Sequence, residues 1–129
     1  MNYLNLSEKG QRLVDMYSEM AENGYATKIG MEIKDAYNSF ELRKIRDVIR
    51  NKFTEHNVKT VLDYGCGGSD WNAPGFENEE SAIDFFSLKR VHRYEPARDI
   101  DERASVDCVV CFDVLEHIYV SDVATVLRD

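Results

Sequence analysis

The chain is poor in cysteine, short of positive charge and free of long apolar runs. Each scarcity excludes something. Its three cysteines, Cys66, Cys108 and Cys111, are few and odd in number, so they give no disulfide framework and suit a reducing compartment. With 16 basic against 24 acidic residues, the formal charge is −8. That balance argues against a nucleic-acid binder and against docking on an anionic membrane. No apolar stretch approaches the roughly 20 residues that a membrane-spanning helix needs. No charged-then-apolar leader opens the chain. A soluble, cytoplasmic protein is expected. Internal repeats and low-complexity segments are also missing.

What is present fits one compact domain: 129 residues, 43% of them hydrophobic. "NLSEKGQRLVDMYSEMAENG" reads as a helix capped by Ser7, with Leu13, Val14, Tyr17, Met20 and Ala21 on one stripe and Asn23-Gly24 as the stop. "YATKIGMEIKDA" reads as a loop that becomes helical. A second helix is expected from Asp35 to Thr54, its inner face carrying Tyr37, Phe40, Ile45, Val48, Ile49 and Phe53. Arg43, Lys44, Arg46 and Arg50 form a basic cluster on that helix, read as a solvated face.

"KTVLDY", "RVHRYEP" and "VDCVVCFDV" read as strands. The third is nearly all apolar and is expected to be covered on both faces. Cys108 and Cys111 have a CxxC spacing within it. Residues three apart on a strand point to opposite faces, so neither zinc nor a redox pair is expected. "ENEESAIDFFSLK" reads as a short helix with acids in its first turn, "ARDIDERAS" as a polar connection, and "SDVATVLRD" as a helix capped by Ser121, burying Val123, Val126 and Leu127. Trp71, Phe76, Phe85 and Phe86 read as core beneath a loop, with a lid over a ligand as the alternative. Strands alternating with covering segments predict an α/β fold with a parallel sheet of three recognisable strands. Residues 1–57 form an N-terminal helical segment packing on that sheet, and residues 58–129 the sheet itself, as one domain.

The three strands end in Asp63 with Gly65 and Gly67, in Glu95, and in Asp113. Ligands of parallel sheets sit at such carboxyl ends. Gly65 suits a sharp turn after the strand, and Gly67 removes a side chain where a ligand would press on the backbone. A carboxylate at position 95 matches the place that grips the hydroxyls of a ribose.

Taken together, "VLDYGCGGSD", "YEPA" and "VDCVVCFDVLEHI" resemble class I S-adenosylmethionine-dependent methyltransferases, over Val58 to Asp129. The resemblance implies a partial Rossmann-like fold, S-adenosyl-L-methionine as cofactor, and methyl transfer to a small-molecule acceptor. It implies that the Gly65, Cys66 and Gly67 backbone lies against the methionine part and that Asp63 reaches its amino group. Glu95 would take the ribose hydroxyls, and Asp113 and Val114 would lie near the sulfonium and the acceptor. His117 and Asp113 are the candidate catalytic residues, with His117 as a general base. Asp99 and Asp101 are candidate adenine readers by position only. Asp113, Glu116 and His117 resemble a metal-holding run of some relatives, which makes a metal site the alternative to a site without metal.

The chain departs from the family pattern at Ser69, where a glycine is usual, and at Pro74-Gly75, where the first covering helix should begin. That helix is expected to be short, displaced or replaced by the loop around Trp71. The family's sheet is also larger than three strands, so a C-terminally truncated domain is expected, with strand 107–113 as an edge. Such an edge invites a homo-oligomer or covering by an N-terminal helix. The alternatives to an enzyme are a non-catalytic binding module and an inactive remnant.

Overall fold

The computed structural model describes residues 4–26, 30, 32–33 and 41–129. Helix α1 (Glu8–Asn23) starts as expected: the Gly10 N–H donates to the Ser7 hydroxyl at 3.1 Å. It stops at Gly24, φ +71, whose N–H donates to the Met20 carbonyl at 2.9 Å. Its apolar stripe is only half-buried, because Leu13, Val14, Tyr17 and Ala21 face a cavity.

Where the next segment is described, it is strand rather than a loop turning helical. Strand β1 (Tyr25–Ala26) pairs antiparallel with β2 (Glu32–Ile33), Tyr25 opposite Ile33, and Gly30 between them sits at φ +83. A glycine at positive φ reverses the chain, and β-prone Tyr25 and Ile33 then pair. Among the described residues the expected second helix is α-helical only from Arg46. A 3₁₀ turn over Glu41–Ile45 precedes α2 (Arg46–Glu55), and the Tyr37 and Phe40 positions lie outside the described residues. The tighter turn breaks the phase, so Ile45 leaves the inner face and Val48 is 60% exposed. Ile49 and Phe53, four apart, carry the contact. The basic residues are more than a solvated face. Arg43 lies over Phe76 and Arg50 over Phe85, and Arg46 pairs with Glu77.

Among the described residues the main sheet has four strands in the order β5-β4-β3-β6. Strand β3 (Thr60–Tyr64) lies parallel to β4 (Arg90–Glu95) on one side and to β6 (Cys108–Val110) on the other. Strand β5 (Ile100–Asp101) pairs antiparallel with β4, which makes this α/β sheet mixed rather than wholly parallel. The polar segment that reads as a simple connection thus contains a strand, too short for an alternating pattern to register.

Strand β6 is shorter than the expected 107–113, because the backbone leaves the sheet and reaches φ +58 at Asp113. It is an edge strand with one covered face: Val110 is buried, while Val109 is 54% exposed. Its start is tied to β3 by Asp107. That carboxylate accepts the Lys59 and Thr60 N–H groups at 2.8 and 3.0 Å, which holds it below the usual carboxylate range. Helix α1 does not take the role of covering β6; it packs against the Pro96–Arg98 turn.

Both faces of β3 are covered. Val61 faces a cluster containing Phe53, Trp71, Phe76, Phe85 and Phe86, so these aromatics are core. Leu62 and Tyr64 face Leu4, Tyr94 and Val126. The helix between β3 and β4, α3 (Ala82–Phe85), is one turn long, and its Ile83 N–H donates to the Trp71 carbonyl at 3.0 Å. Its cap is Ser81, and the acids expected in its first turn form a tight reversal before it, with Glu80 N–H donating to the Glu77 carbonyl at 3.0 Å. Helix α4 (Val120–Arg128) begins at Tyr119 rather than at a Ser121 cap. Its inner face is set by Asp122 and Val126, four apart, which leaves Leu127 69% exposed.

Candidate functional site

Tyr64 and Tyr94 stand level at the carboxyl ends of β3 and β4. The chain leaves β3 at Gly65, φ +77, and folds across the tip of β4. The N–H groups of Gly65 and Cys66 both donate to the Tyr94 carbonyl, at 2.8 and 3.2 Å. Gly67, φ +56, then donates its N–H to Glu95 Oε2 at 3.1 Å. Glu95 Oε1 accepts the Ala97 N–H, also at 3.1 Å. One carboxylate therefore joins the turn after β3 to the turn after β4. Burial raises the Glu95 pKa, and the two donated N–H groups act against that shift.

Gly65 is required for a local reason. A Cβ there would run into Val114 Cγ2, on the segment after β6. The three strand tips are thus in contact: β3 with β4 through Glu95, and β3 with β6 through the side chain of Val114.

A cavity of about 180 Å³ lies at this rim, between the strand tips and α1. Gly65, Gly67, Glu95, Asp113, Val114 and His117 line it, so six of the residues singled out from sequence share one space. Asp63 and Cys66 do not line it. Asp63 is buried, and its Oδ2 accepts the Trp71 indole N–H at 2.8 Å. Burial pushes its carboxyl up to about 6, opposed by the indole bond. Strand alternation explains the placement: Asp63 shares its face with Val61 and the aromatic cluster, on the side away from Leu62 and Tyr64. Burial likewise pushes the Cys66 thiol up to about 12, which leaves it protonated and unreactive.

At the cavity mouth His117 Nε2 lies 3.5 Å from Asp113 Oδ1. A hydrogen bond with Glu116, then the nearby His117, hold Asp113 below the usual carboxylate range. One ligand atom each from Asp113, Glu116 and His117 fall within 4.8 Å of one another, all exposed, and among the described residues no fourth acid, histidine or cysteine joins them. The adenine candidates differ in their engagements. Asp101 is held by Arg103 through bonds of 2.8 Å, and Asp99 ends the Pro96–Arg98 turn at φ +57.

The inner face of α1, Arg98 and Asp122 also line the cavity, and sequence reasoning missed them. The only signal was the α1 stripe itself, which fits core packing equally well. Compared with family models, curated proteins and solved structures, the chain matches none.

Proposed function

We propose that the chain carries a partial Rossmann-like sheet that binds S-adenosylmethionine at the β3 and β4 tips and transfers its methyl group to a small-molecule acceptor. The observation that carries this reading is the Gly67–Glu95 bond, because it brings a glycine turn and a strand-end carboxylate to one cavity. The strand order supports it too. The chain steps from β3 to one neighbour and then to the other, and ligands of such sheets bind where the order reverses.

The residues present fit the cofactor. Each Glu95 oxygen accepts one backbone N–H and keeps a second lone pair, so the carboxylate can still accept from two ribose hydroxyls. The apolar α1 stripe suits a flat base or an aliphatic chain. When bound, the cofactor supplies an electrophilic methyl group. The protein's part is to orient the acceptor and exclude water. His117, braced by Asp113, stands where it can accept a proton from an acceptor hydroxyl or amine. Asp63 serves this site from beneath by fixing Trp71 and the start of the turn.

A second reading, a binding module without turnover, is favoured by α1. Leu13, Val14 and Tyr17 occupy the side of the cavity facing the strand tips, space that an acceptor would otherwise use. Calorimetric titration with S-adenosylmethionine tests both. Wild type is expected to bind, and Glu95→Gln to bind more than tenfold more weakly, since hydrogen bonds to a charged acceptor contribute about 1.5–3 kcal/mol. Equal affinities, with both proteins folded, would contradict the assignment. Turnover of candidate acceptors separates enzyme from module.

A further inference from the structure

Asp122, in the first turn of α4, is 3% exposed. Its Oδ1 accepts the Ser7 N–H at 2.8 Å, and its Oδ2 accepts the Ser7 hydroxyl at 2.7 Å, across 115 residues of sequence. The same hydroxyl accepts the Gly10 N–H, so a short relay runs from the first turn of α1 to α4. A Cβ on Gly10 would run into Asp122 Oδ2, which means glycine at that position admits the carboxylate. The 16-residue length of α1 gives its amino end a positive field, and a carboxylate there is favoured.

Beyond this first turn, α1 is the outer wall of the cavity. Its inward residues are half-buried, whereas Val61 of β3 is fully buried and Leu62 is 7% exposed. Lifting α1 therefore exposes less new apolar surface per residue than disrupting the sheet, and segments with little buried surface open first. We infer that α1 is a lid over the strand-tip cavity and that the Ser7–Asp122 pair is its latch. The ligand arm of this inference rests on the proposed cofactor site; the latch itself does not.

Hydrogen exchange on the full chain, with and without S-adenosylhomocysteine, tests it. Without ligand, α1 amides should exchange at least tenfold faster than β3 amides. Ser7→Ala removes the cap and the hydroxyl half of the latch, leaving the backbone N–H on Asp122 Oδ1, and should speed α1 about tenfold further while β3 stays unchanged. Asp122→Asn, which removes the charge but keeps the shape, should act in the same direction. If a variant fails to fold, the wild-type comparison decides. Exchange of α1 and β3 at one common rate, or equal acceleration of both by Ser7→Ala, would overturn the lid. Bound S-adenosylhomocysteine should slow α1. If it changes no rate anywhere, the cofactor reading fails, and the latch is judged on the ligand-free rates alone.

Discussion

The Gly67 N–H donates to Glu95 Oε2 at 3.1 Å, although 28 residues separate the two in sequence. This bond ties the rim of the sheet together, because it fixes the glycine turn of one strand to the acid of the next. Gly65 extends the join to the third tip through Val114.

Gly65→Ala should therefore destabilise for two separable reasons. Its φ of +77 strains any residue with a side chain, and the added Cβ meets Val114. Together these are expected to cost about 2–4 kcal/mol in urea unfolding. Adding Val114→Ala should recover the steric part and leave the conformational part. No recovery in the double variant would mean that Val114 does not set this contact.

Asp63 predicts an unusual pH response. Its folded pKa of about 6 lies above the ordinary 3.8, so the fold disfavours the ionised form. The stability linked to Asp63 is fully present below about pH 3.8 and is lost as pH rises through 6. Asp63→Asn keeps an oxygen for the Trp71 indole and removes the charge. Relative to wild type, its stability should rise between pH 4 and pH 6 and then level off, by about 2–3 kcal/mol at most. Chemical denaturation across that range measures it. A difference that does not vary with pH would show that Asp63 is not held protonated by burial.

Trp71 is the only tryptophan and is 1% exposed, between Asp63 and Phe86. Trp71→Phe removes the indole donor and part of the packing, and it should cost about 3–5 kcal/mol. Asp63→Asn in the same chain should recover part of that loss, because an unpaired amide is cheaper to bury than an unpaired carboxylate. A double-mutant cycle on thermal unfolding reads the coupling; strict additivity would contradict the contact.

The β6 edge predicts a contrast between neighbours. Val109 is 54% exposed and Val110 is 9% exposed. Val109→Thr should change stability by less than about 0.5 kcal/mol, and Val110→Ala should lower it by about 1–3 kcal/mol. Similar losses at both positions would mean that the outer face of β6 is covered.

Much of this was legible in the sequence because the signals were local. Thr60–Tyr64 and Arg90–Glu95 formed as read, and Ser7 and Gly24 bounded α1. Gly65, Gly67, Glu95 and Asp113 were singled out by position and Val114 and His117 through the resemblance, and all six line one cavity. What escaped depends on geometry that letters do not encode. Strand β5 is two residues long, and the 3₁₀ turn before α2 moved Val48 outward. Asp63 points beneath the rim because strand alternation places it with Trp71. Asp122 looks like a solvent-facing acid in the first turn of a helix, and only the approach of Ser7 from the other end of the chain buries it.

The proposed site places a nucleoside-bearing cofactor at the joined tips of β3 and β4. Amide chemical-shift mapping by NMR during titration with S-adenosylhomocysteine reads that placement residue by residue. Saturable shifts are expected at Gly65, Gly67, Ala97 and Val114, with α2 amides unmoved. An absence of shifts at millimolar ligand, or shifts confined to other parts of the molecule, would contradict it.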